Sequence, residues 1–287
     1  MGAVDEQVCL PNARPPREVL GSFGPAHKRQ PDWRGLSTLT TQRMTTTSAP
    51  DILGQALLDY HRGDAAATLT VHCTVADDEP LPAAYFFRPL LQMPELERLA
   101  LDECRGRVLD LGAGAGCHSL ELQSRGFGHV KAVDVSAGAV QVMTERGVRT
   151  AARHDLFAPL PPTELPYDTI LLLMNGLGLA GTLAGLDKFL AHARTLLAPG
   201  GQILATSSDV RYLYEDEDGA LLLNLNGPYY GEVAYTLSYQ NRTGEPFPWL
   251  FMDAALLNDA AETAGYSAEF LSEDENDQYL VRLSPLS

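Results

Sequence analysis

Two aspartates stand at the ends of successive apolar runs, with alternating glycines between them. Val108-Leu109-Asp110-Leu111-Gly112-Ala113-Gly114-Ala115-Gly116 closes an apolar strand on a carboxylate and follows it with glycine at every second position. Glycine lacks a Cβ, so its backbone adopts conformations closed to other residues and can approach a bound molecule closely. The stretch runs directly into a helical pattern at residues 117–125, which predicts a loop of bare amides at a helix N-terminus. Asp134 ends a second apolar run, residues 130–136, 18 residues after Gly116. That is about the distance at which strand-loop-helix nucleotide sites place a carboxylate to accept both ribose hydroxyls. A third junction, residues 150–157, carries Asp155, placed to meet the amino group of a base. A fourth run, residues 169–174, stops at Asn175-Gly176-Leu177-Gly178 and sets Asn175 where a reacting group would be held.

The elements that must position these residues alternate. Strand patterns at residues 108–111, 130–136, 150–157, 169–174 and 202–206 are separated by helical ones, including a helix over 182–197 that ends at Pro199-Gly200-Gly201. Such alternation predicts an α/β protein with a mostly parallel sheet, and parallel sheets bind ligands outside the carboxyl ends of their strands. Residues 210–250 interrupt the alternation. Strand patterns at 221–225 and 231–239, joined by Asn226-Gly227-Pro228, read as an antiparallel insertion carrying Tyr212, Tyr214, Tyr229 and Tyr230, with the acidic run 215–218 as a solvated turn. A last helix, 252–264, leads to strands at 268–271 and 278–283 and brings the sheet to seven.

Composition limits the function. The 287 residues are 45% hydrophobic and 20% charged, as in a soluble globular chain, and no apolar run approaches the ~20 residues that span a bilayer. Asp and Glu outnumber Lys and Arg by 37 to 21, a net charge of −16. Phosphate backbones are held mainly by Lys and Arg, so nucleic acid is a poor candidate partner and a small-molecule substrate a better one. The four cysteines, Cys9, Cys73, Cys104 and Cys117, form no CxxC pair and no zinc-ligand spacing, which predicts reduced thiols, no metal and a cytoplasmic location.

Ahead of the glycine loop the chain falls into two parts. Residues 1–43 carry five prolines and a net charge of +2, leaving −18 for the rest; they read as a disordered or mis-called extension, with Met44 as an alternative initiator. Residues 44–104 read as a helical cap or lid: a helix capped by Asp51, a short strand over 69–75, then a second helical region over 83–103 interrupted by Pro89 and Pro94. His72 and Cys73 would face opposite sides of the strand, so packing suits both better than a catalytic pair. Tyr85 and Arg88 in this segment, with Tyr212 and Tyr229 in the insertion, are the candidate substrate and lid residues. Asp209, after Ser207 and Ser208 at the end of the fifth strand, and His118, in the first turn after the loop, are candidate bases by location.

The span from Arg107 to the C-terminus resembles the class I S-adenosylmethionine-dependent methyltransferases. The resemblance is carried by Asp110-Leu111-Gly112-Ala113-Gly114-Ala115-Gly116, the acid Asp134, the Pro199-Gly200-Gly201 turn and the closing strand pair. It implies a Rossmann-like seven-stranded mostly parallel sheet with an antiparallel last strand, plus the N-terminal helical cap and the β insertion after the fifth strand; the domain itself would cover residues 105–287. It further implies S-adenosyl-L-methionine as cofactor, with the glycine loop and Asp110 at its methionyl end, Asp134 and Val135 at its ribose, Asp155 and Leu156 at its adenine, and Asn175 beside the transferred methyl. Amino-group methyltransferases often carry Asn-Pro-Pro-Tyr at this strand end. Asn175-Gly176-Leu177-Gly178 keeps only the asparagine, so a base or glutamine acceptor is not implied. Two alternatives stand beside a methyltransferase of a small organic acceptor: a non-catalytic cofactor-binding sensor or assembly protein, and a nicotinamide-dependent dehydrogenase. The last is disfavoured because its fingerprint wants GxGxxG, whereas position 117 is cysteine.

Overall fold

The computed structural model describes residues 50–164, 166–216, 220–224 and 226–286. The expectations for residues 1–43, Met44 and Cys9 lie outside the described residues. In chain order the elements are α1 (Ile52–His61), β1 (Thr68–Cys73), β2 (Glu79–Pro82), α2 (Glu95–Asp102), β3 (Val108–Leu111), α3 (Cys117–Ser124), β4 (Val130–Asp134), α4 (Ala137–Glu145), β5 (Ala151–Arg153), β6 (Tyr167–Leu172), α5 (Leu183–Leu196), β7 (Leu197–Ser208), β8 (Glu232–Tyr239), β9 (Arg242–Thr243), β10 (Phe247–Leu250), α6 (Ala254–Thr263), β11 (Tyr266–Glu273) and β12 (Gln278–Pro285).

Seven strands form the main sheet in the order β5-β4-β3-β6-β7-β12-β11. The pairs β4–β5, β3–β4, β3–β6 and β6–β7 are parallel, while β12 pairs antiparallel with both β7 and β11. The last strand is therefore the one that runs against the others, and the sequence-based expectation of a Rossmann-like sheet holds. Every residue of β3 and β4 is buried, as expected of strands covered on both faces. From β3 the chain crosses to β4, and later from β5 to β6 on the other side of β3. The carboxyl ends of β3 and β6 thus bound the crevice where such sheets take ligands.

The N-terminal segment is less helical than its sequence predicts. Residues 83–103 hold two short 3₁₀ turns, Ala83–Phe87 and Leu90–Gln92, before α2, because Pro89 and Pro94 cannot continue a helix. Between α1 and these turns, β1 and β2 join β8 and β10 in a second, antiparallel sheet ordered β10-β8-β1-β2, with β9 paired to β8. β1 alternates exposed and buried positions, and its register sets Val71 opposite Leu237 and Cys73 opposite Tyr235. The N-terminal segment and the insertion thus share one sheet, closed by pairing across more than half the chain. His72 is hydrogen-bonded as well as packed: Nδ1 lies 2.8 Å from Asp78 Oδ2 and Nε2 2.8 Å from Ser238 Oγ, which ties β1 to its turn and to β8. Of the strand expected at 221–225, the described residues 221–224 form none. Leu221 makes one bridge to Glu215 and Leu222 is exposed.

At Asp51 the N-terminal segment is joined to α4. Asp51 caps α1 by accepting from Gly54 N–H through Oδ1, and its Oδ2 accepts from both Ser136 Oγ and Gly138 N–H, each at 2.9 Å. A single carboxylate so serves the N-termini of two helices, where negative charge is favoured.

Candidate active site

β3 delivers Asp110, and the chain then turns through Gly112, Ala113, Gly114, Ala115 and Gly116 into α3. The three glycines have φ of 71°, 55° and 79°, the left-handed region that side chains resist. Side chains already fill the space beside them. A Cβ on Gly112 would lie 2.6 Å from Leu179, and one on Gly114 3.0 Å from the Phe86 ring.

The loop amides are not bare. Gly112 and Ala113 N–H donate to the Val133 carbonyl at 2.9 and 3.1 Å, Gly116 N–H donates to Ala113, and Gly114 N–H donates to Asp134 Oδ2 at 2.9 Å. A helix N-terminus holds phosphate through free N–H groups. Four of this loop's are committed internally, and it surrounds the crevice with carboxylates instead. Asp110 is buried, with Oδ2 accepting from Ser119 Oγ at 2.6 Å; burial raises its pKa, and His118 and the Ser119 bonds pull against that rise. Asp134 is buried too, with Oδ1 accepting from Ser136 N–H at 2.9 Å; burial again raises the pKa, against the pull of its two backbone bonds. Ser136, not Asp134, caps α4, accepting from Ala139 N–H. Two buried acids at adjacent strand ends favour a ligand that brings positive charge and hydroxyl donors.

Beside them, Val135 is an apolar residue left 52% exposed at the carboxyl end of β4. Half-buried Leu156 packs on the main core. Asp155 turns back on its own chain, Oδ1 accepting from Phe157 N–H at 2.9 Å.

At the end of β6, Met174 and Asn175 both take left-handed conformations, with φ of 61° and 54°. Asparagine tolerates this region; methionine there is strained, and such strain persists only where surrounding contacts fix the backbone. Asn175 N–H donates to Thr206 Oγ1 at 2.9 Å and Asn175 Oδ1 accepts from Ser208 Oγ at 2.8 Å, so β7 holds the asparagine in place. A cleft of about 340 Å³ is lined by Asp209, Arg211, Tyr212, Glu215, Asp253, Glu273, Asp277 and Tyr279 among others; Asn175, Asp134 and the glycine loop do not line it. Asp209 has three donors: Oδ1 accepts from Arg211 N–H and Tyr230 O–H, both at 2.8 Å, and Oδ2 from the Arg211 guanidinium at 2.7 Å. The carboxylate so ties the end of β7 to residues 211 and 230 of the insertion. Tyr229 O–H donates to Asp253 Oδ2 at 2.8 Å, and burial pushes the pKa of both Tyr229 and Tyr230 up, so they stay neutral donors.

Residues 108–201 match the family model of the methyltransferase domain. Over the whole fold, the chain is similar to the crystal structure of an S-adenosylmethionine-dependent methyltransferase from Bacteroides fragilis in complex with S-adenosyl-L-homocysteine. The two are 40% identical with a TM-score of 0.76, and the match covers 83% of this chain and 95% of that one. The chain belongs to the S-adenosylmethionine-dependent methyltransferases. The CcbJ methyltransferase from Streptomyces caelestis (17% identity, covering 70% of this chain and 92% of that one, TM-score 0.52) and the PH0226 protein from Pyrococcus horikoshii OT3 (18%, 66% and 88%, 0.50) share the fold. No curated protein matches the chain.

S-adenosylmethionine is the cofactor of this methyltransferase, and the donor set fits it: a sulfonium and an α-ammonium suit two buried acids as a pyrophosphate does not. The dehydrogenase and non-catalytic alternatives fall together. Among the described residues no group of three or more His, Cys, Asp or Glu converges as a metal site, and no helix is long and apolar enough to cross a membrane.

The methyltransferase also holds a buried polar group with no sequence signal. Glu97 on α2 lies between Arg88, which reaches both its oxygens at 2.5 Å, and His118 Nε2 at 2.6 Å. Its partners are nine and 21 residues away, a spacing that no local pattern betrays. Arg88 is therefore buried against α2, and its guanidinium also stacks on Tyr85, 3.5 Å from the ring centroid. Burial disfavours the His118 imidazolium, but Cys117 and Glu97 outweigh it and hold the pKa well above the usual 6.5. A raised folded-state pKa confers stability that is complete below about pH 6.5 and lost as pH rises through the higher value. Thermal unfolding followed from about pH 6 to about pH 10 is expected to show Tm falling more steeply for the wild type than for His118→Asn. Parallel curves would mean a neutral imidazole.

Proposed function

We propose that this enzyme transfers the cofactor's methyl group to a small organic acceptor in the cytoplasm. The observation that carries the reading is the pair of buried acids Asp110 and Asp134 at adjacent strand ends, with Asn175 held by Thr206 and Ser208 at the end of β6 on the other side of β3. A cleft of about 340 Å³ lies at the end of β7. Its volume is that of a small-molecule site, which typically spans ~300–1,000 Å³. Five carboxylates and one arginine line it, so an anionic acceptor is disfavoured and a neutral or amino-bearing one favoured. The buried thiols Cys73, Cys104 and Cys117 suit a reducing compartment.

In this reading Asp110, Gly112, Ala113, Gly114 and Gly116 hold the methionyl end. Asp134, with a lone pair left on each oxygen, accepts from the ribose hydroxyls, and Val135, Asp155 and Leu156 frame the adenine. Bound S-adenosylmethionine supplies an already activated sulfonium methyl, so the chain's task is alignment and exclusion of water, worth on the order of 7–11 kcal/mol when geometry is ideal. Asn175, locked by Thr206 and Ser208, positions the acceptor. The 44–104 segment and the 210–250 insertion act together as the lid over the 105–287 domain, with Tyr212 and Tyr229 on the acceptor side and Tyr85 and Arg88 on the cofactor side. A labelled-methyl assay against fractionated host metabolites tests this. Label is expected in a low-molecular-weight neutral or basic product, and incorporation into protein or RNA alone would overturn the reading.

A further inference from the structure

Residues 85–88, between the second sheet and α2, touch the glycine loop and its flanks at three points. The Phe86 ring lies against Gly114. Phe87 lies beneath the Arg146 guanidinium, 4.7 Å from the ring centroid, and Arg146 in turn donates to the Ala115 carbonyl at 2.5 Å. Arg88 donates to the Tyr85 carbonyl at 2.7 Å and to both oxygens of Glu97, whose Oε2 also meets His118 in the first turn of α3. Glu97 is 4% exposed and takes no part in the methyl transfer described above. A carboxylate, a guanidinium and an imidazole are costly to bury together, and a hydrophobic cluster of like size would stabilise the fold at least as well. One device for which such a cluster serves better than packing is to fix one geometry: the bidentate fork and the imidazole admit a single arrangement of three chain segments. Among the described residues Arg88 Nε has no hydrogen-bond partner, and Glu97 is the carboxylate paired with the guanidinium.

We propose that Glu97 is a positioning residue for the cofactor: by gripping Arg88 and His118 with one carboxylate, it clamps residues 85–88 onto the glycine loop and fixes the loop that receives the methionyl end. The inference rests on the reading that this loop and Asp134 hold the cofactor. Its signature is an effect on cofactor affinity and loop opening in protein that remains folded.

The test uses the full chain, with S-adenosyl-L-homocysteine as probe in calorimetry and hydrogen exchange read on the peptide spanning residues 112–116. Glu97→Gln keeps the shape and removes the charge. It is expected to raise Kd at least tenfold and to speed exchange in that peptide, with Glu97→Asp recovering part of both. Should Glu97→Gln not fold, Arg88→Lys, which keeps the charge and loses the fork, is expected to change both readouts in the same direction. A folded variant whose Kd stays within twofold of wild type overturns the proposal, since a merely structural Glu97 would lower Tm and leave affinity alone. Asp134→Ala separates the two readings. If it loses affinity while Glu97→Gln does not, the clamp alone is wrong; if neither loses affinity, the loop is not the cofactor site.

Discussion

Asp134→Ala is expected to weaken S-adenosylmethionine binding by about two to four orders of magnitude. Hydrogen bonds to a charged group are worth about 1.5–3 kcal/mol each, and the carboxylate is assigned two, to the ribose hydroxyls. With tenfold in Kd per ~1.4 kcal/mol, their loss gives that range. The carboxylate's existing bonds to Gly114 and Ser136 do not compete, because each ionised oxygen accepts twice. They do mean that the substitution orphans two buried N–H groups, so affinity must be read by calorimetry on protein whose folding is verified by its melting curve. Asparagine is no innocent control here: it would turn an amide donor toward one of those N–H groups. Affinity within twofold of wild type in folded Asp134→Ala would remove the ribose assignment. The same carboxylate predicts a pH dependence. Burial raises its folded pKa, so apo stability falls as pH rises through that window. A cationic cofactor favours the ionised form, so affinity is expected to fall on acidification below the folded pKa.

The second large effect is on folding. Gly138→Ala is expected to destabilise the protein by about 2 kcal/mol, a fall in Tm of roughly 4–8 °C for a chain of this size. A Cβ there would sit 2.6 Å from the Cα, carbonyl carbon and carbonyl oxygen of Gly54, backbone that can yield only if α1 lifts off α4. Alanine in place of glycine gains up to about 1 kcal/mol in helix propensity. The gain loses, because lifting α1 also breaks the Asp51 bonds to Ser136 and Gly138 that join the two helices. Differential scanning calorimetry decides it: an unchanged or raised Tm would mean that α1 and α4 are not in contact.

Much of the cofactor side was legible in the sequence because its signals are local. The strands that end in Asp110 and Asp134 are short apolar runs, the glycines between them mark a loop of positive φ, and Asp51 before an apolar helix reads as a cap; each depends on neighbours within a few residues. The bareness of the loop amides did not follow, since their acceptors are Val133 and Asp134, one strand away. Asp209 read as a candidate base for the same reason. Location at a strand end is local, but its bonds to Arg211 and Tyr230 depend on how residues 210–250 fold.

The sequence by itself determined the alternation of strands and helices, the seven-stranded sheet, the loop and the two acids, and so the family. Only the tertiary structure decided that the N-terminal segment and the insertion share one sheet, because β1 is completed by β8 more than 150 residues later and no periodicity records a partner at that distance. It also decided that Arg88, Glu97 and His118 meet. Charged side chains on a turn and two separate helices carry no sign of being buried until packing removes the water around them and sets each against the others.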